Sequence, residues 1–317
     1  MKEKEKVLIN CVMHEEGLGV FAKEGYEAII VPESDPQASW DNVGPCVAMV
    51  ANASLPIDER FFAAAPRLRV VGRHGVGYDN VDIEAARGRG VRVVNTPLPI
   101  IEPVAEHVIM LLLAVTRRLL PGYLAVREGR WRGSDNAPGK ELAGKTLGLV
   151  GLGNTGRRVA EIAALGFKMN IVYFDKIQRP EAEKNYGAER RSFEEVLASS
   201  DFISLHVNLS AETRRLIDAR AFSLMKPGAI FINAARGAMV DEEALVSALD
   251  SGRLAGAGID VFDREPPGAD HPLLRHPQVV YTPHVAGGST ESKRGCSLVA
   301  LDVVKVLRGQ PPAHPVV

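Results

Sequence analysis

Three charged side chains in the last third of the chain have the residue types needed for acid–base chemistry on a small organic acid. Arg236 follows an apolar run in Asn-Ala-Ala-Arg-Gly, Glu265 stands in Arg-Glu-Pro-Pro, and His284 stands in Tyr-Thr-Pro-His. The planar guanidinium of arginine suits bidentate capture of a carboxylate. A histidine paired with a carboxylate favours its charged form and can serve as an acid near neutral pH. Reduction of a 2-keto acid needs such a cation and such a proton donor.

Each of these residues also has an ordinary structural interpretation. An arginine that follows a strand is commonly a surface residue, and a single histidine is more often a structural residue than a catalytic one. The chain has 8 histidines. Residue type and position therefore leave both interpretations open until other motifs are considered.

A glycine-rich turn gives an independent indication of a ligand site. The apolar run Thr146–Val150 leads into Gly151-Leu-Gly153-Asn-Thr-Gly156, which has the GxGxxG spacing of dinucleotide-binding turns. The three glycines permit a tight turn, close approach of a pyrophosphate, and close packing of helix on strand. The next apolar run ends at Asp175, whose carboxylate would accept hydrogen bonds from ribose hydroxyls and repel a 2′-phosphate. We predict a dinucleotide site that prefers NAD; a structural turn with a chance aspartate is the alternative.

The elements that must position these residues form two α/β series. Short apolar runs alternate with longer amphipathic runs, which is typical of βαβ units and parallel sheets. The predicted strands of the first series are Val7–Val12, Ala28–Val31, Val47–Val50, Val70–Val71 and Val91–Val94. Those of the second series are Thr146–Val150, Asn170–Phe174, Phe202–His206, Ala229–Asn233, Gly256–Asp260 and Val279–Thr282.

Helices are predicted between these strands and at two longer stretches. The shorter ones include stretches near Glu59–Ala65 and Ile83–Ala86, together with Thr155–Leu165, Phe193–Ala198, Ala219–Leu224 and Asp241–Asp250. The longer ones are Ile101–Leu120 and about Ser289–Arg308. The first of the two is apolar at nearly every inward position, so it is expected to pack between two bodies rather than on a surface.

Length and composition limit the classes of function. A chain of 317 residues exceeds what one hydrophobic core usually serves, which predicts two domains. A formal charge of -1 argues against a nucleic-acid or anionic-membrane partner. The chain has no uninterrupted apolar run of about 18 residues and no signal-peptide pattern, which favours a cytoplasmic protein. Cys11, Cys46 and Cys296 lack metal-type spacing, so neither a metal site nor a disulfide set is predicted.

Taken together, the motifs resemble those of the D-isomer-specific 2-hydroxyacid dehydrogenase family. The resemblance includes the glycine turn with Asp175 and the segments around Arg236, Glu265 and His284. It extends over nearly the whole chain through the segments Gly72-Arg-His-Gly-Val-Gly-Tyr-Asp-Asn-Val-Asp82, Asn95-Thr-Pro97 and Val104-Ala-Glu-His107.

This resemblance implies an architecture and an activity. The fold class would be α/β, with two Rossmann-like or flavodoxin-like domains built on parallel sheets and the active site in the cleft between them. Residues 1–97 and a C-terminal helix within 288–317 would form the substrate domain, and residues 98–287 the NAD-binding Rossmann domain. The reaction would move a hydride between NAD and C2 of a small D-2-hydroxy or 2-keto acid. A homodimer is usual, with Ile101–Leu120 as an interface element.

The resemblance also implies a role for individual residues. Arg236 would hold the carboxylate and polarise the carbonyl. His284 would be the acid for ketone reduction and the base for alcohol oxidation, with Glu265 supporting its protonation. The backbone amides of the loop Gly75, Val76 and Gly77 would bind the substrate carboxylate. Cofactor contacts would come from Gly151, Gly153, Asn154, Thr155, Gly156, Asp175, His206, Val207, Thr213, Ala234, Arg236, Asp260, His284 and Gly287.

Departures from the family pattern put the identity of the substrate in question. Glyoxylate, hydroxypyruvate and 3-phosphoglycerate are candidates. The segment Ala51–Ser54 lacks the arginine that often helps to bind phosphate in phosphoglycerate dehydrogenases, and Ile100, Ile101 and Pro103 replace residues common near the substrate mouth. Two other functions stay open: an NAD(H)-sensing binding protein of the co-repressor type, and a relative acting on formate or phosphite.

Overall fold

The chain forms two compact units. The computed structural model describes residues 4–131 and 138–317. The first unit consists of the chain up to Ile100 together with Gly288–Val317, and the second consists of Ile101–Gly287. The assignment of one unit to the substrate and of the other to NAD stays a prediction.

The first unit is built on a five-stranded parallel sheet with the order β2-β1-β3-β4-β5. This is the flavodoxin-like arrangement. Its central strand β3, with the sequence CVAMVA, is buried along its whole length, as expected where helices cover both faces of a parallel sheet. The elements in chain order are β1 (Lys6–Ile9), α1 (Glu15–Lys23), β2 (Glu27–Ile30), α2 (Pro36–Asn42), β3 (Cys46–Ala51), α3 (Glu59–Ala64), β4 (Val70–Arg73), α4 (Ile83–Gly88) and β5 (Arg92–Val94).

The second unit has a seven-stranded parallel sheet with the order β12-β11-β10-β9-β6-β7-β8. Strand order reverses between β6 and β9, which is where ligands bind in doubly wound sheets. Its elements are α5 (Ile101–Thr116), α6 (Leu119–Arg127), β6 (Thr146–Val150), α7 (Asn154–Glu161), a π-helical turn (Ile162–Gly166), β7 (Asn170–Phe174), α8 (Pro180–Tyr186), β8 (Glu189–Arg190), α9 (Phe193–Ser199), β9 (Phe202–Leu205), α10 (Ala219–Leu224), β10 (Ala229–Asn233), a 3-10 turn (Gly237–Met239), α11 (Glu242–Asp250), β11 (Leu254–Ile259), α12 (Pro272–Arg275) and β12 (Val279–Tyr281).

Two further helices, α13 (Thr290–Ser297) and α14 (Val299–Leu307), belong to the first unit. Helix α14 packs directly on β4, and a Cβ atom added at Gly72 would lie 2.6 Å from Cγ2 of Val303. The C-terminal part of the chain therefore completes one face of the first sheet.

The predicted α/β class with two parallel sheets is confirmed, but several predicted elements are wrong in detail. The predicted helix Ile101–Leu120 ends at Thr116, because Arg118 takes a left-handed conformation with φ of 53°. Pro121 has no amide hydrogen and fits only in the first turn of the new helix α6. The predicted helix Ser289–Arg308 is interrupted at Leu298, where Ser297 donates a hydrogen bond back to the carbonyl of Lys293.

Other differences concern the ends of elements and one missed strand. The predicted strand Val7–Val12 ends at Ile9. The predicted helix Thr155–Leu165 is α-helical only to Glu161 and continues as the π-helical turn. Strand β8, at the edge of the second sheet, was not predicted because its two residues, Glu189 and Arg190, are both charged and exposed.

No single helix in residues 4–131 and 138–317 has both the length and the apolar composition of a membrane span, although the bent pair α5 and α6 meets both criteria when counted together.

Candidate active site

The predicted functional residues of the second unit lie at the carboxyl ends of its strands. Each of six strands is followed directly by predicted residues: Gly151 after β6, Asp175 after β7, His206 and Val207 after β9, Ala234 and Arg236 after β10, Asp260 after β11, and His284 after β12. Because all these strands are parallel, their carboxyl ends meet at one edge of the sheet.

The glycine turn has the geometry of a dinucleotide-binding loop. Gly151 has φ of 100°, and a Cβ atom there would lie 2.6 Å from the carbonyl oxygen of His206. A Cβ atom at Gly156 would lie 2.5 Å from the carbonyl oxygen of Gly151, so helix α7 can approach the turn only with glycine at this position. A Cβ atom at Gly153 would contact nothing within 4 Å, so this side of the turn is open. The N-terminus of α7, which begins at Asn154 and continues with Thr155, has no side-chain cap.

Asp175 is tied to this turn by its own side chain. Its Oδ2 accepts a hydrogen bond from the amide of Leu152 at 2.8 Å, and its Oδ1 accepts one from the amide of Ile177 at 2.8 Å. Nη2 of Arg179 lies 3.7 Å from Oδ2. The carboxylate is therefore fixed beside the turn, where a ribose would follow the pyrophosphate. The open turn, the uncapped helix N-terminus and this carboxylate together fit a bound NAD.

Two further predicted cofactor residues, His206 and Thr213, make hydrogen bonds within the protein. Nε2 of His206 lies 2.9 Å from Oγ of Ser204, and burial lowers the pKa of His206 to about 4, so its ring is neutral. Oγ1 of Thr213 donates a hydrogen bond to the carbonyl of Asn208 at 2.7 Å and thereby closes the loop after β9. Neither contact supplies a reacting group.

His284 and Glu265 form a close pair. Nδ1 of His284 lies 2.6 Å from Oε2 of Glu265, and Oε1 of Glu265 accepts a hydrogen bond from the amide of Phe262 at 3.0 Å. The histidine side chain is 40% exposed and the glutamate side chain 37% exposed, so the pair can reach a ligand. The structure therefore brings these two predicted residues together.

The electrostatics of the pair also include Arg236. Burial opposes ionisation of Glu265, but the hydrogen bond and charge of His284, the Phe262 amide and the charge of Arg236 together hold the pKa of Glu265 below its usual value. Nη1 of Arg236 donates a hydrogen bond to the carbonyl of Ala235 at 2.7 Å, and Nδ2 of Asn233 donates one to the carbonyl of Arg236 at 3.0 Å. The guanidinium is thus held near the pair by the end of β10.

Asp260 fixes the segment that carries His284. This aspartate is fully buried, and its carboxylate accepts hydrogen bonds from the amides of Val285 and Ala286, both at 2.9 Å. Its backbone carbonyl accepts the amide hydrogen of His284 at 2.7 Å, where His284 has φ of 52°. Asp260 therefore orients the chain between His284 and the predicted cofactor residue Gly287, and in this structure its carboxylate acts through the backbone.

Two side chains that the sequence left without a role complete this arrangement. Oγ1 of Thr282 donates a hydrogen bond to Oδ1 of Asp260 at 2.5 Å, and Nε2 of His107 lies 2.9 Å from that same hydroxyl. Burial opposes ionisation of Asp260, but the hydrogen bonds from His107, Thr282 and the two amides lower its pKa. The only sequence signal was the motif Val104-Ala-Glu-His107, which does not indicate a contact 153 residues further along the chain at Asp260.

The predicted substrate loop Gly75–Gly77 follows β4 in the first unit. Gly75 has φ of 130°, which favours glycine, and its amide donates a hydrogen bond to Oγ1 of Thr96 at 3.0 Å. One of the three predicted amides is therefore bonded within the protein. Among the described residues, no acceptor is found for the amides of Val76 and Gly77, and both residues are half-buried.

Comparisons with known proteins identify a family and several relatives. Residues 109–286 match the model of the D-isomer specific 2-hydroxyacid dehydrogenase NAD binding domain. The chain is 39% identical to a glyoxylate reductase of Korarchaeum cryptofilum, over 98% of this chain and 95% of that protein. It is 38% identical to a D-3-phosphoglycerate dehydrogenase of Archaeoglobus fulgidus, over 96% of this chain and 58% of that protein.

A solved structure is similar over nearly the whole chain. It is an NADPH-dependent glyoxylate/hydroxypyruvate reductase from Sinorhizobium meliloti, in complex with NADP and malonate. The TM-score is 0.87 at 30% identity, with 99% of this chain and 97% of that chain covered.

Proposed function

Because the chain belongs to the D-isomer-specific 2-hydroxyacid dehydrogenase family, we propose that Arg236, Glu265 and His284 are its catalytic residues. The protein is an NAD-dependent oxidoreductase that acts on the CH–OH group of a small D-2-hydroxy acid or on the corresponding 2-keto acid. The observation that supports the catalytic assignment is the 2.6 Å contact between His284 and Glu265, beside Arg236 and at the same sheet edge as the glycine turn. The enzyme names of the relatives favour turnover over the NAD-sensing alternative.

The second unit is proposed to hold the cofactor. When bound, the nicotinamide supplies the hydride for reduction or accepts it in oxidation. The open face of the turn at Gly153 and the amides at the start of α7 would hold the pyrophosphate. Asp175 would accept hydrogen bonds from ribose hydroxyls, and its charge would disfavour a 2′-phosphate.

His284 is proposed to move the proton. Its Nδ1 is engaged by Glu265, so Nε2 is the ring nitrogen that can face the substrate oxygen. In reduction Nε2 would donate a proton to the carbonyl oxygen, and in oxidation it would take the proton of the hydroxyl. The carboxylate of Glu265 would favour the charged imidazolium and fix the orientation of the ring.

The substrate carboxylate is proposed to have two sets of partners. Arg236 would bind it through its guanidinium and polarise the adjacent carbonyl. In the first unit, which would be the substrate domain, the amides of the loop Gly75–Gly77 would donate hydrogen bonds to the carboxylate. Ala51–Ser54 carries no cation for a phosphate group, so glyoxylate and hydroxypyruvate are preferred to phosphohydroxypyruvate as substrates.

A substrate panel tests this function. Purified protein would be mixed with NADH and then NADPH, and cofactor absorbance followed with glyoxylate, hydroxypyruvate, pyruvate, branched 2-keto acids and phosphohydroxypyruvate. We expect the highest kcat/KM with glyoxylate or hydroxypyruvate and NADH, and its loss in the variant Arg236→Ala. Tight NADH binding without turnover of any acid in the panel would contradict the proposed substrate class.

A homodimer is proposed from the surface of α5 and α6. These helices carry several exposed apolar side chains: Met110 is 44% exposed, Leu119 58%, Tyr123 58% and Val126 57%. A second copy of the chain is the proposed occupant. Sedimentation should give a dimer for the wild type and a monomer for Met110→Glu combined with Leu119→Glu, whereas a wild-type monomer at micromolar concentration would contradict the proposal.

A cytoplasmic location is also proposed. All three cysteines are free and buried, as is typical of proteins from reducing compartments. Recovery of the protein in a secreted fraction after cell fractionation would contradict this location.

A further inference from the structure

The loop Gly75–Gly77 has three consecutive carbonyl groups that are held by neighbours within the first unit. The carbonyl of Gly75 accepts a hydrogen bond from the amide of Thr96 at 3.0 Å. The carbonyl of Val76 accepts one from Nδ2 of Asn95 at 2.8 Å, and the carbonyl of Gly77 accepts one from Nε of Arg73 at 2.9 Å. Every carbonyl of the loop is therefore fixed in direction.

The held carbonyls also fix the directions of the amides that follow them. In a trans peptide the C=O group and the next N–H group point to opposite sides, and the peptides of this loop are trans. The N–H groups of Val76, Gly77 and Tyr78 therefore point away from the three donors. In residues 4–131 and 138–317, no acceptor is found for any of these three amides. Successive main-chain amides that have no acceptor within the protein can together bind an anion.

The three donor residues are themselves buried and fixed. Arg73 is 2% exposed, Asn95 9% and Thr96 7%. The guanidinium of Arg73 also donates hydrogen bonds to the carbonyls of Ala51 and Asn52 at the end of β3. Oγ1 of Thr96 accepts the amide of Gly75 at 3.0 Å, so this residue holds Gly75 from both sides of its backbone. None of these side chains is placed to meet a ligand itself.

We propose that Arg73, Asn95 and Thr96 are positioning residues that direct the amides of the loop toward the substrate carboxylate. This inference rests on the proposed function, in which the loop binds that carboxylate. The three residues would act through the backbone: they turn the carbonyl oxygens away from the anion and expose the N–H groups to it. The loop would then bind a carboxylate without any charged side chain of its own.

Asn95→Leu is the main test, because leucine has a similar shape and removes the donor to the carbonyl of Val76 without adding charge. Thr96→Val removes the acceptor for Gly75 and keeps the shape, while Thr96→Ser keeps the hydroxyl. Asn42→Leu is a matched control, since Nδ2 of Asn42 donates a similar bond to the carbonyl of Ala38 at 2.8 Å within α2. The measurements are KM and kcat with the best acid of the panel, the inhibition constant of oxamate, the Kd of NADH and the thermal midpoint.

For Asn95→Leu we expect KM and the oxamate constant to rise together by about tenfold, the effect of one lost hydrogen bond. The NADH Kd and kcat should change by less than about threefold, because neither involves the loop. Thr96→Val should show a smaller rise of KM and Thr96→Ser should restore it. Asn42→Leu should leave all binding constants unchanged.

Unchanged KM and oxamate constants in a folded Asn95→Leu would overturn the inference, and so would an equal rise in Asn42→Leu. If Asn95→Leu does not fold, KM and the oxamate constant of Thr96→Val and Thr96→Ser test the inference instead. A wild type that turns over no acid would contradict the proposed function, and the inference with it. Normal wild-type turnover with unaffected variants would contradict the inference alone.

Discussion

The carboxyl ends of the two parallel sheets present different kinds of chemical group. In the second unit they present charged side chains, namely Asp175, Arg236, Glu265 and His284. In the first unit the loop Gly75–Gly77 presents main-chain amides, and its charged neighbour Arg73 is buried behind it. The same architecture can therefore offer side-chain chemistry at one edge and backbone recognition at the other.

This difference predicts which substitutions in each unit should impair catalysis or substrate binding. In the second unit the charged side chains themselves are proposed to react with the substrate, so replacing one of them should remove its chemistry. In the first unit the side chains of the loop Gly75–Gly77 are proposed to contribute little to substrate binding, and the orientation of its backbone is proposed to depend on buried neighbours. The glycines of the two units also differ. Any side chain at Gly156 would clash with the backbone, whereas a Cβ atom at Gly75 would meet nothing within 4 Å and only the φ of this residue favours glycine.

The largest effect on activity is expected from His284→Gln, in the second unit. The substitution keeps a polar side chain but removes the group that would exchange the proton, so kcat should fall by on the order of 10²–10⁴. His276→Gln is the matched control, since His276 pairs with Asp250 at 3.5 Å outside the site. A kcat within about tenfold of wild type would show that His284 is not the acid.

Two glycines of the turn are expected to serve different purposes: Gly156 is needed for packing, and Gly153 leaves space for the ligand. Gly156→Ala should destabilise the fold by about 1–3 kcal/mol, because its Cβ meets backbone, and should weaken NADH binding as well. Gly153→Ala should leave thermal stability unchanged but still raise the NADH Kd, because its Cβ lies on the open side of the turn. Gly166→Ala, which also meets nothing within 4 Å, should change neither. Equal NADH affinity in Gly153→Ala and wild type would argue against a pyrophosphate at this turn.

Asp175→Asn tests the charge next to that turn. The amide side chain keeps one of the two acceptors that the backbone amides of Leu152 and Ile177 use, and it removes the repulsion of a 2′-phosphate. Nη2 of Arg179 lies 3.7 Å from the carboxylate. The ratio of kcat/KM for NADH over NADPH should fall by on the order of tenfold. Asp201→Asn is the control, because Asp201 precedes β9 and so lies at the amino ends of the strands, away from the turn. This variant loses the contact with Lys226 but should leave the ratio unchanged. An unaltered ratio in Asp175→Asn would contradict its role in choosing NAD.

Glu265→Gln should change the pH profile. The pKa of Glu265 is held below its usual value, so the carboxylate is charged throughout the neutral range. The ionised carboxylate stabilises the folded protein at a pH above the ordinary glutamate pKa. This stabilisation is lost as the pH falls through the lowered pKa of Glu265. In the glutamine variant the alkaline limb of the reduction profile should move to lower pH by about one unit, because the imidazolium loses its partner. Asp250→Asn serves as the control, and a limb that stays in place would exclude Glu265 as the partner that favours the charged acid.

The smallest effect is expected from Val76→Thr in the loop of the first unit. The two side chains have the same shape, and the proposed contribution of Val76 is its main-chain amide. KM should therefore change by less than about twofold. A rise as large as that expected for Asn95→Leu would mean that the side chain itself contacts the substrate and would remove the contrast between the two edges.

Much of the site was readable from the sequence because its requirements are local. The spacing of Gly151, Gly153 and Gly156 reflects constraints within one turn, and Asp175 follows the next strand directly. Residue type and position after predicted strands singled out Arg236, Glu265 and His284 but left their roles open, and the family resemblance then implied the proposed catalytic roles. The alternation of short apolar runs with longer amphipathic runs similarly predicted the α/β class, because it is typical of βαβ units.

The sequence alone could not give the partners that hold these residues in place. Asn95 and Thr96 lie about twenty positions after the loop that they hold. His107 and Thr282 meet at Asp260 only because α5 packs against the sheet to which β12 belongs. The break at Arg118 and the short charged strand β8 have no apolar period that could reveal them. Residue types and local turns were therefore determined by the sequence itself. The directions of backbone amides and the hydrogen bonds between distant side chains were decided by the tertiary structure, because they exist only after the sheets have assembled.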